Sequence, residues 1–248
     1  MSGSIIITGS GRGIGAATAV LAAQRGYAVC VNYRERRESA DAVVATIRKS
    51  GGKACAVAAE NCVETDVARL FDAAERELGP VRALVNNAGV PGRIGRVENL
   101  ELDTLRRVLD VNVIGTVLCA REAVRRMSTR RGGSGGAIVN VSSMASRTGS
   151  PGELVHYAAA KAAVETFNYG LAAEVAAEGI RVNCVSAGLI ATDIHAEAGD
   201  AERLHRYATR MPMARAGRPD EVAAVIVWLL SDEASYITGA TLPVAGGR

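Results

Sequence analysis

At 248 residues, 48% apolar and 22% charged, the chain has the make-up of a soluble globular protein with a sizeable core. A net charge of +3 and an aromatic content of 4% exclude a strongly basic nucleic-acid surface and a stacking platform for single strands. No run of about 18 apolar residues spans a membrane, Met1-Ser2-Gly3-Ser4 lacks the charged start of a signal peptide, and five scattered cysteines without a Cys-x-x-Cys pair point to a reduced, cytoplasmic setting.

The first element, Ser4 to Thr8, is a continuous apolar run and reads as a buried strand. Gly9-Ser10-Gly11-Arg12-Gly13-Ile14-Gly15 follows, and Ala16 to Gln24 carries a helical pattern. Strand, glycine-rich turn and helix in that order is the context of a dinucleotide site. No frame gives Gly-x-Gly-x-x-Gly; Gly9, Gly13 and Gly15 stand out as Gly-x-x-x-Gly-x-Gly. Such glycines let backbone amides approach a pyrophosphate at the positive end of a helix.

The rhythm then repeats. Strands are predicted at Ala28 to Asn32, Lys53 to Ala59, Ala83 to Asn86, Ala137 to Val141, Arg181 to Val185 and Leu242 to Ala245. Helices are predicted at Glu38 to Lys49, Glu64 to Leu78, Glu101 to Arg130, through Tyr157 to about Ala177, and Asp220 to Leu230. The cluster Arg125, Arg126, Arg130 and Arg131 reads as a solvated helix end. Near-continuously apolar strands alternating with helices predict an α/β fold: a doubly wound, mostly parallel seven-stranded sheet with helices on both faces. No linker divides residues 1–248, so a single domain is expected. The segment 189–218 breaks the rhythm and suits a substrate-covering lid.

Tyr157 and Lys161, at i and i+4, share one helix face. An ammonium near a phenol favours the phenolate and brings the phenol toward neutral pH, where it both gives and takes a proton. The three histidines, His156, His195 and His205, are too dispersed for a metal site. No Ser-His-Asp set or carboxylate pair argues for hydrolysis.

Taken together, Thr8-Gly9-x-x-x-Gly13-Ile14-Gly15, Asn86-Asn87-Ala88-Gly89, Asn112, Ser142-Ser143, Tyr157-x-x-x-Lys161, Gly188 to Thr192 and Gly217-Arg218-Pro219 to Gly239 resemble the short-chain dehydrogenase/reductase family in order and spacing, over essentially the whole chain. The chain looks most like its 3-oxoacyl-carrier-protein reductases and glucose-type sugar dehydrogenases. The resemblance implies a Rossmann-like fold and catalytic roles for four residues. Tyr157 is the acid/base at the carbonyl oxygen. Ser143 hydrogen-bonds that oxygen, with Ser142 as its substitute. Lys161 holds the nicotinamide ribose and lowers the Tyr157 pKa, and Asn112 anchors a water beside Lys161. Cofactor contacts are implied at Gly9, Gly13, Ile14, Gly15, Asn61, Asn87, Ala88, Gly89, Tyr157, Lys161, Gly188 and Thr192.

The end of the second strand reads Val31-Asn32-Tyr33-Arg34, without the acid that binds the adenosine ribose of NAD. Arg12 and Arg34 suit a 2′-phosphate instead, so NADP is expected over NAD; Glu35 is positioned to pair with Arg34. Several positions depart from the family pattern: Asn61 where Asp is usual, Ala187-Gly188 where Pro-Gly is usual, and one extra residue between Ser143 and Tyr157, near Pro151-Gly152-Glu153. Glu178 stands where carrier-protein reductases use a basic residue, which disfavours a carrier-protein substrate.

The expected function is NADP-dependent interconversion of a small ketone or aldehyde and an alcohol. A sugar or polyol dehydrogenase is the alternative, and a non-catalytic NADP sensor is a third reading. His156 and the segment from Pro151 are expected to line the pocket. The apolar residues on several sides of the Tyr157 helix, together with the resemblance, imply a homotetramer.

Overall fold

The computed structural model describes residues 3–248. Seven strands form one sheet: β1 (Ser4–Ile7), β2 (Ala28–Tyr33), β3 (Ala54–Ala58), β4 (Val81–Asn86), β5 (Gly136–Ser143), β6 (Ile180–Ala187) and β7 (Thr241–Val244). Their order is β3-β2-β1-β4-β5-β6-β7, and every neighbouring pair is parallel. The crossovers are α1 (Gly13–Gln24), α2 (Arg37–Lys49), α3 (Glu64–Leu78), α4 (Leu102–Leu109) continuing into α5 (Gly115–Met127), α6 (Ala145–Thr148) and α7 (Val155–Val175). After β6 come the short α8 (Ile194–Glu197) and α9 (Arg203–Ala208), then α10 (Pro219–Leu230).

Strand residues alternate between two cores, as a pleated strand requires. Ile5 and Ile7 of β1, with Val29 and Val31 of β2, pack beneath α1, α2 and α10. Ile6 and Cys30 turn to the other face, against Phe71 and Leu70 of α3 and Cys119 and Ala123 of α5. Both faces are dry, which is why the strands read as unbroken apolar runs. The chain leaves β1 toward β2 on one side and β4 on the other. That reversal opens a crevice beyond the C-terminal strand ends, where ligands bind in doubly wound sheets.

The core also holds a line of amides. Asn86 and Asn140, register partners on β4 and β5, are joined by Asn86 Nδ2 donating to Asn140 Oδ1 at 2.9 Å. Asn140 Nδ2 donates to Asn168 Oδ1 of α7 at 3.1 Å. This ties the strand that ends beneath the cleft to the helix that carries Tyr157. Substituting Asn140→Ala strands a donor on one side and an acceptor on the other, at about 1–3 kcal/mol each. A lower urea midpoint at unchanged m-value is the expected result.

In the arginine cluster at the end of α5, Arg125 and Arg130 are solvated as expected, at 51% and 68% exposed, and Arg126 is not. The Arg126 side chain is only 16% exposed. It bonds to Glu122 and Asp72, reaches Glu75 at 3.0 Å and lies 5.3 Å from the centre of the Phe71 ring. It joins α3 to α5 because a planar fork with an apolar face can satisfy carboxylates and a ring together.

Candidate active site

A cleft of about 950 Å³ opens at the C-terminal ends of β1, β2, β4, β5 and β6. Its walls bring together Gly9, Arg12, Gly13, Ile14, Arg34, Asn61, Asn87, Ala88, Gly89, Ser143, Tyr157, Lys161, Gly188 and Thr192. Gly15 and Asn112, also expected at the site, stand behind the wall instead.

The glycine loop is built from both sides. Gly9 and Gly13 take φ of +61° and +55°, a region that side chains disfavour. A Cβ on Gly15 would lie 2.7 Å from the Gly9 carbonyl oxygen, so Gly15 serves the tight turn and not the cleft surface. Asn87 Nδ2 donates to the Thr8 and Gly9 carbonyls at 2.9 and 3.0 Å, and the Asn87 and Ala88 amides both donate to Thr8 Oγ1 at 3.0 Å. Asn32 Oδ1 accepts from the Gly9 amide at 3.1 Å. Gly13 faces Thr192 of the segment beyond β6, whose Cγ2 would meet a Gly13 Cβ at 3.3 Å.

At the opposite end, β5 delivers Ser143 and α7 delivers Tyr157 and Lys161. Lys161 Nζ donates to the Val141 carbonyl at 2.8 Å and lies 5.7 Å from the centre of the Tyr157 ring. Burial pulls the Lys161 ammonium down to about 8. Burial also pushes the Tyr157 phenol up to about 12, with the Ser143 hydroxyl pulling the other way. The expected lowering of Tyr157 by Lys161 is therefore overridden within the protein alone. Desolvation of the phenolate dominates, and Lys161, which faces the ring, is not among the groups that shift the phenol.

Asn112 occupies a π turn, 110–114, where α4 runs into α5. There the Asp110 carbonyl receives the Gly115 amide five residues on, and Asn112 Nδ2 donates to the Val108 and Val90 carbonyls at 2.8 Å. Its Oδ1 is buried with no partner among the described residues. A Cβ on Gly89 would stand 2.7 Å from that oxygen and 3.2 Å from Lys161 Nζ. Only glycine leaves room for a small group to bridge the two.

The two serines are separated by geometry. Ser142 Oγ donates to Glu165 Oε1 at 2.8 Å, while Ser143 borders the cleft beside Tyr157. Glu165 also accepts from Ser146 at 2.7 Å, so a carboxylate one helical turn past Lys161 braces the residues on both sides of Ser143.

Comparison with known proteins decides the family. Residues 9–248 match the family model described as Enoyl-(Acyl carrier protein) reductase. The uncharacterized oxidoreductase YgfF of Escherichia coli is 52% identical over 98% of this chain and 98% of its own. Glucose 1-dehydrogenase 2 of Bacillus subtilis is 37% identical over 98% of this chain and 93% of its own. A solved short-chain dehydrogenase/reductase from Serratia marcescens superposes with a TM-score of 0.90 at 31% identity, covering 99% of this chain and 98% of that one.

The chain belongs to the short-chain dehydrogenase/reductase family.

As a short-chain dehydrogenase/reductase it is an oxidoreductase acting on CH–OH groups with a nicotinamide cofactor. The residues present fit such a group: a turn with no side chain at Gly9, Gly11 and Gly13, an unpartnered Asn112 oxygen and a buried cation at one end. At the adenosine end Asn61 Nδ2 is spent on the Val111 carbonyl at 3.0 Å, leaving Oδ1 as the acceptor. Two expectations about the cleft wall need correction. His156 is buried against the Pro91 carbonyl at 3.1 Å and does not line the cleft; the histidine that does is His195. Of the segment before Tyr157, Ser150 and Leu154 form wall, whereas Pro151, Gly152 and Glu153 do not. A helix start turns successive side chains to different sides, so adjacency to Tyr157 does not bring His156 into the pocket.

Glu165, Asn140, Arg36 and Arg203 were missed. Nothing in their spacing marks them, because each acts through a partner distant in sequence. The Gly89→Ala substitution tests the tight end of the site. It is expected to displace Lys161 or Asn112 by several tenths of an ångström and to cut kcat by about a hundredfold, measured with NADPH at saturation.

Proposed function

We propose that this protein is an NADP(H)-dependent oxidoreductase interconverting a small ketone or aldehyde and the corresponding alcohol. The observation that carries the reading is the convergence of Ser143, Tyr157 and Lys161 at one end of a cleft whose other end presents Arg12, Arg34 and Arg36. A bound nicotinamide supplies or accepts the hydride; the protein positions the carbonyl and manages one proton. Ser143 Oγ donates to the carbonyl oxygen, Tyr157 Oη protonates it, and Lys161 holds ribose hydroxyls and steadies the phenolate left behind. Asn112 Oδ1 accepts from a bridging water beside Lys161 and extends the path for the returning proton.

The titration directions give the pH dependence. With its phenol up at about 12, Tyr157 is protonated through neutral pH and ready to donate. With its amine at about 8, Lys161 loses the charge that supports the phenolate as pH rises past that point. Carbonyl reduction is expected to be flat from about pH 6 to 7.5 and to fall above 8. Alcohol oxidation, which needs the phenolate, is expected to rise over the same range. A reductive profile that climbs with pH would refute these roles.

The segment 189–218 acts as the lid. Residues 189 and 190 pair with 217, so its two ends meet, and Thr192, His195 and Ala198 contribute to the cleft wall. Small molecules are the substrates. Glu178 is 13% exposed and already paired with Arg130 and Ser128, and Arg125 and Arg126 are held by Glu122. An acid at position 178 disfavours an acidic carrier protein. Large side chains exposed on α7 and near β7, Tyr169 at 71% and Tyr236 at 102%, suit a subunit contact within a homotetramer.

Mixing the protein with NADPH and a panel of β-ketoesters, diketones and sugars, and following the absorbance of the reduced nicotinamide, tests the reading. Turnover of sugars alone, in the oxidative direction, favours a polyol dehydrogenase, as the likeness to a glucose dehydrogenase allows. Tight NADPH binding with no turnover on any compound makes the protein a sensor.

A further inference from the structure

Arg203, on α9, is a charged group in the cleft wall for which the roles above leave no task. Its side chain is 14% exposed. Nη2 donates to Glu153 Oε2 at 2.6 Å, and Nη1 is buried with no acceptor among the described residues. The guanidinium is held in place from several directions. Tyr207 Oη donates to the other Glu153 oxygen at 3.0 Å, and the Tyr207 ring centre lies 5.1 Å from the Arg203 guanidinium carbon. The Gly95 amide fixes the Glu153 carbonyl at 2.8 Å.

A latch between the lid and the segment leading into α7 needs only the Nη2 contact. It does not account for a permanently charged group placed in the cleft wall with part of its donor fork unmatched, an expensive arrangement without an acceptor. With Nη2 committed to Glu153, the donors left over on a guanidinium held by stacking suit a carboxylate oxygen. Arg93 borders the same cleft, is exposed and forms no ion pair among the described residues, so a second positive charge faces the space. Glu153, the acid nearest to Arg203, does not border the cleft. It also stands four residues before Tyr157, so the clamp sets Arg203 at a defined place relative to the reacting oxygen.

We propose that Arg203 is a substrate-binding residue for a carboxylate, and that the substrates are oxo acids and the matching hydroxy acids. The carboxylate lies on the Arg203 guanidinium while Ser143 and Tyr157 hold the carbonyl oxygen. The inference rests on the carbonyl–alcohol reading above for the second half of this statement, and on Arg203 alone for the first.

The test uses 3-oxobutanoate, 4-oxopentanoate and 5-oxohexanoate, each beside its methyl ester, with NADPH and the wild-type, Arg203→Gln and Arg203→Lys proteins. At the best chain length the wild type is expected to favour the acid over the ester by about tenfold or more in kcat/KM. In Arg203→Gln that ratio is expected to fall to about one, with Arg203→Lys between them. NADPH affinity, read at the far end of the cleft, reports whether each variant is folded. Wild-type protein that reduces esters as well as acids, or a ratio unchanged in Arg203→Gln, overturns the proposal and leaves the oxidoreductase reading intact. Calorimetric titration of the same acids into the NADP-loaded protein separates the two readings. Acid binding that is lost in Arg203→Gln, without turnover, upholds the carboxylate site and counts against the reaction. No acid binding to the wild type overturns the site.

Discussion

Tyr157→Phe is expected to lower kcat for carbonyl reduction by about a thousandfold, within the range that a single positioned proton donor contributes, while NADPH affinity changes little. The substitution removes one oxygen and keeps the ring, so the packing of α7 against β5 is preserved. It isolates proton transfer for a second reason: the phenol stays protonated at neutral pH, so its loss removes a donor and not a charge. Lys161 is expected to keep its bond to the Val141 carbonyl and its proposed hold on the ribose. Steady-state rates with NADPH, beside a fluorescence titration of the same cofactor, give the two readouts. A variant that retains rates within about tenfold of the wild type would assign the proton to another group, Ser143 being the nearest.

The second large effect concerns the adenosine end. Arg34→Asp is expected to weaken NADPH by about a hundredfold, the scale of one or two charge-assisted hydrogen bonds to a phosphate, and to leave NADH nearly unchanged. Within the protein Arg34 pairs with Glu35 at 2.6 Å and lies 3.6 Å from Glu60, as the neighbouring Glu35 foreshadowed. The Arg34 side chain is 46% exposed, however, and exposed ion pairs of this kind are weak, so a phosphate dianion is expected to displace them. Arg12 is committed differently. It bonds to Asp193 at 3.2 Å and to Glu197, both on the lid side, and Arg36 reaches Glu197 at 3.5 Å. Arg12→Ala should therefore disturb lid and cofactor together, a weaker discriminator than Arg34→Asp. Parallel loss of NADPH and NADH in Arg34→Asp would sink the NADP assignment.

Much of this site was legible before any coordinates. Tyr157 and Lys161 are linked by helical periodicity, and the glycine loop by its place between an apolar strand and a helix; both are local patterns, and local patterns survive into the fold. The positions that departed from expectation depend on contacts over long sequence distances. His156 is next to Tyr157 in the chain, yet the helix start turns it to Pro91. Arg126 has a surface residue's composition, yet carboxylates from α3 and α5 and the Phe71 ring surround it. The titration of Tyr157 follows the same logic: spacing announces the ammonium, while burial, which dominates, is a property of the packed molecule.

The sequence by itself determined the parallel doubly wound sheet and the order of its elements, and it offered Tyr157 and Lys161 as candidates for moving a proton, because each rests on periodicity, turn chemistry or side-chain type within a few residues. Only the tertiary structure decided that Ser142 is bonded to Glu165 while Ser143 meets Tyr157, that Asn112 and Gly15 stand behind the cleft wall, and that Arg203 reaches into that wall from the lid. Those outcomes depend on which distant groups compete for each hydrogen bond and each space. Ser142 goes to Glu165 across the β5–α7 interface, which leaves Ser143 as the hydroxyl that meets Tyr157.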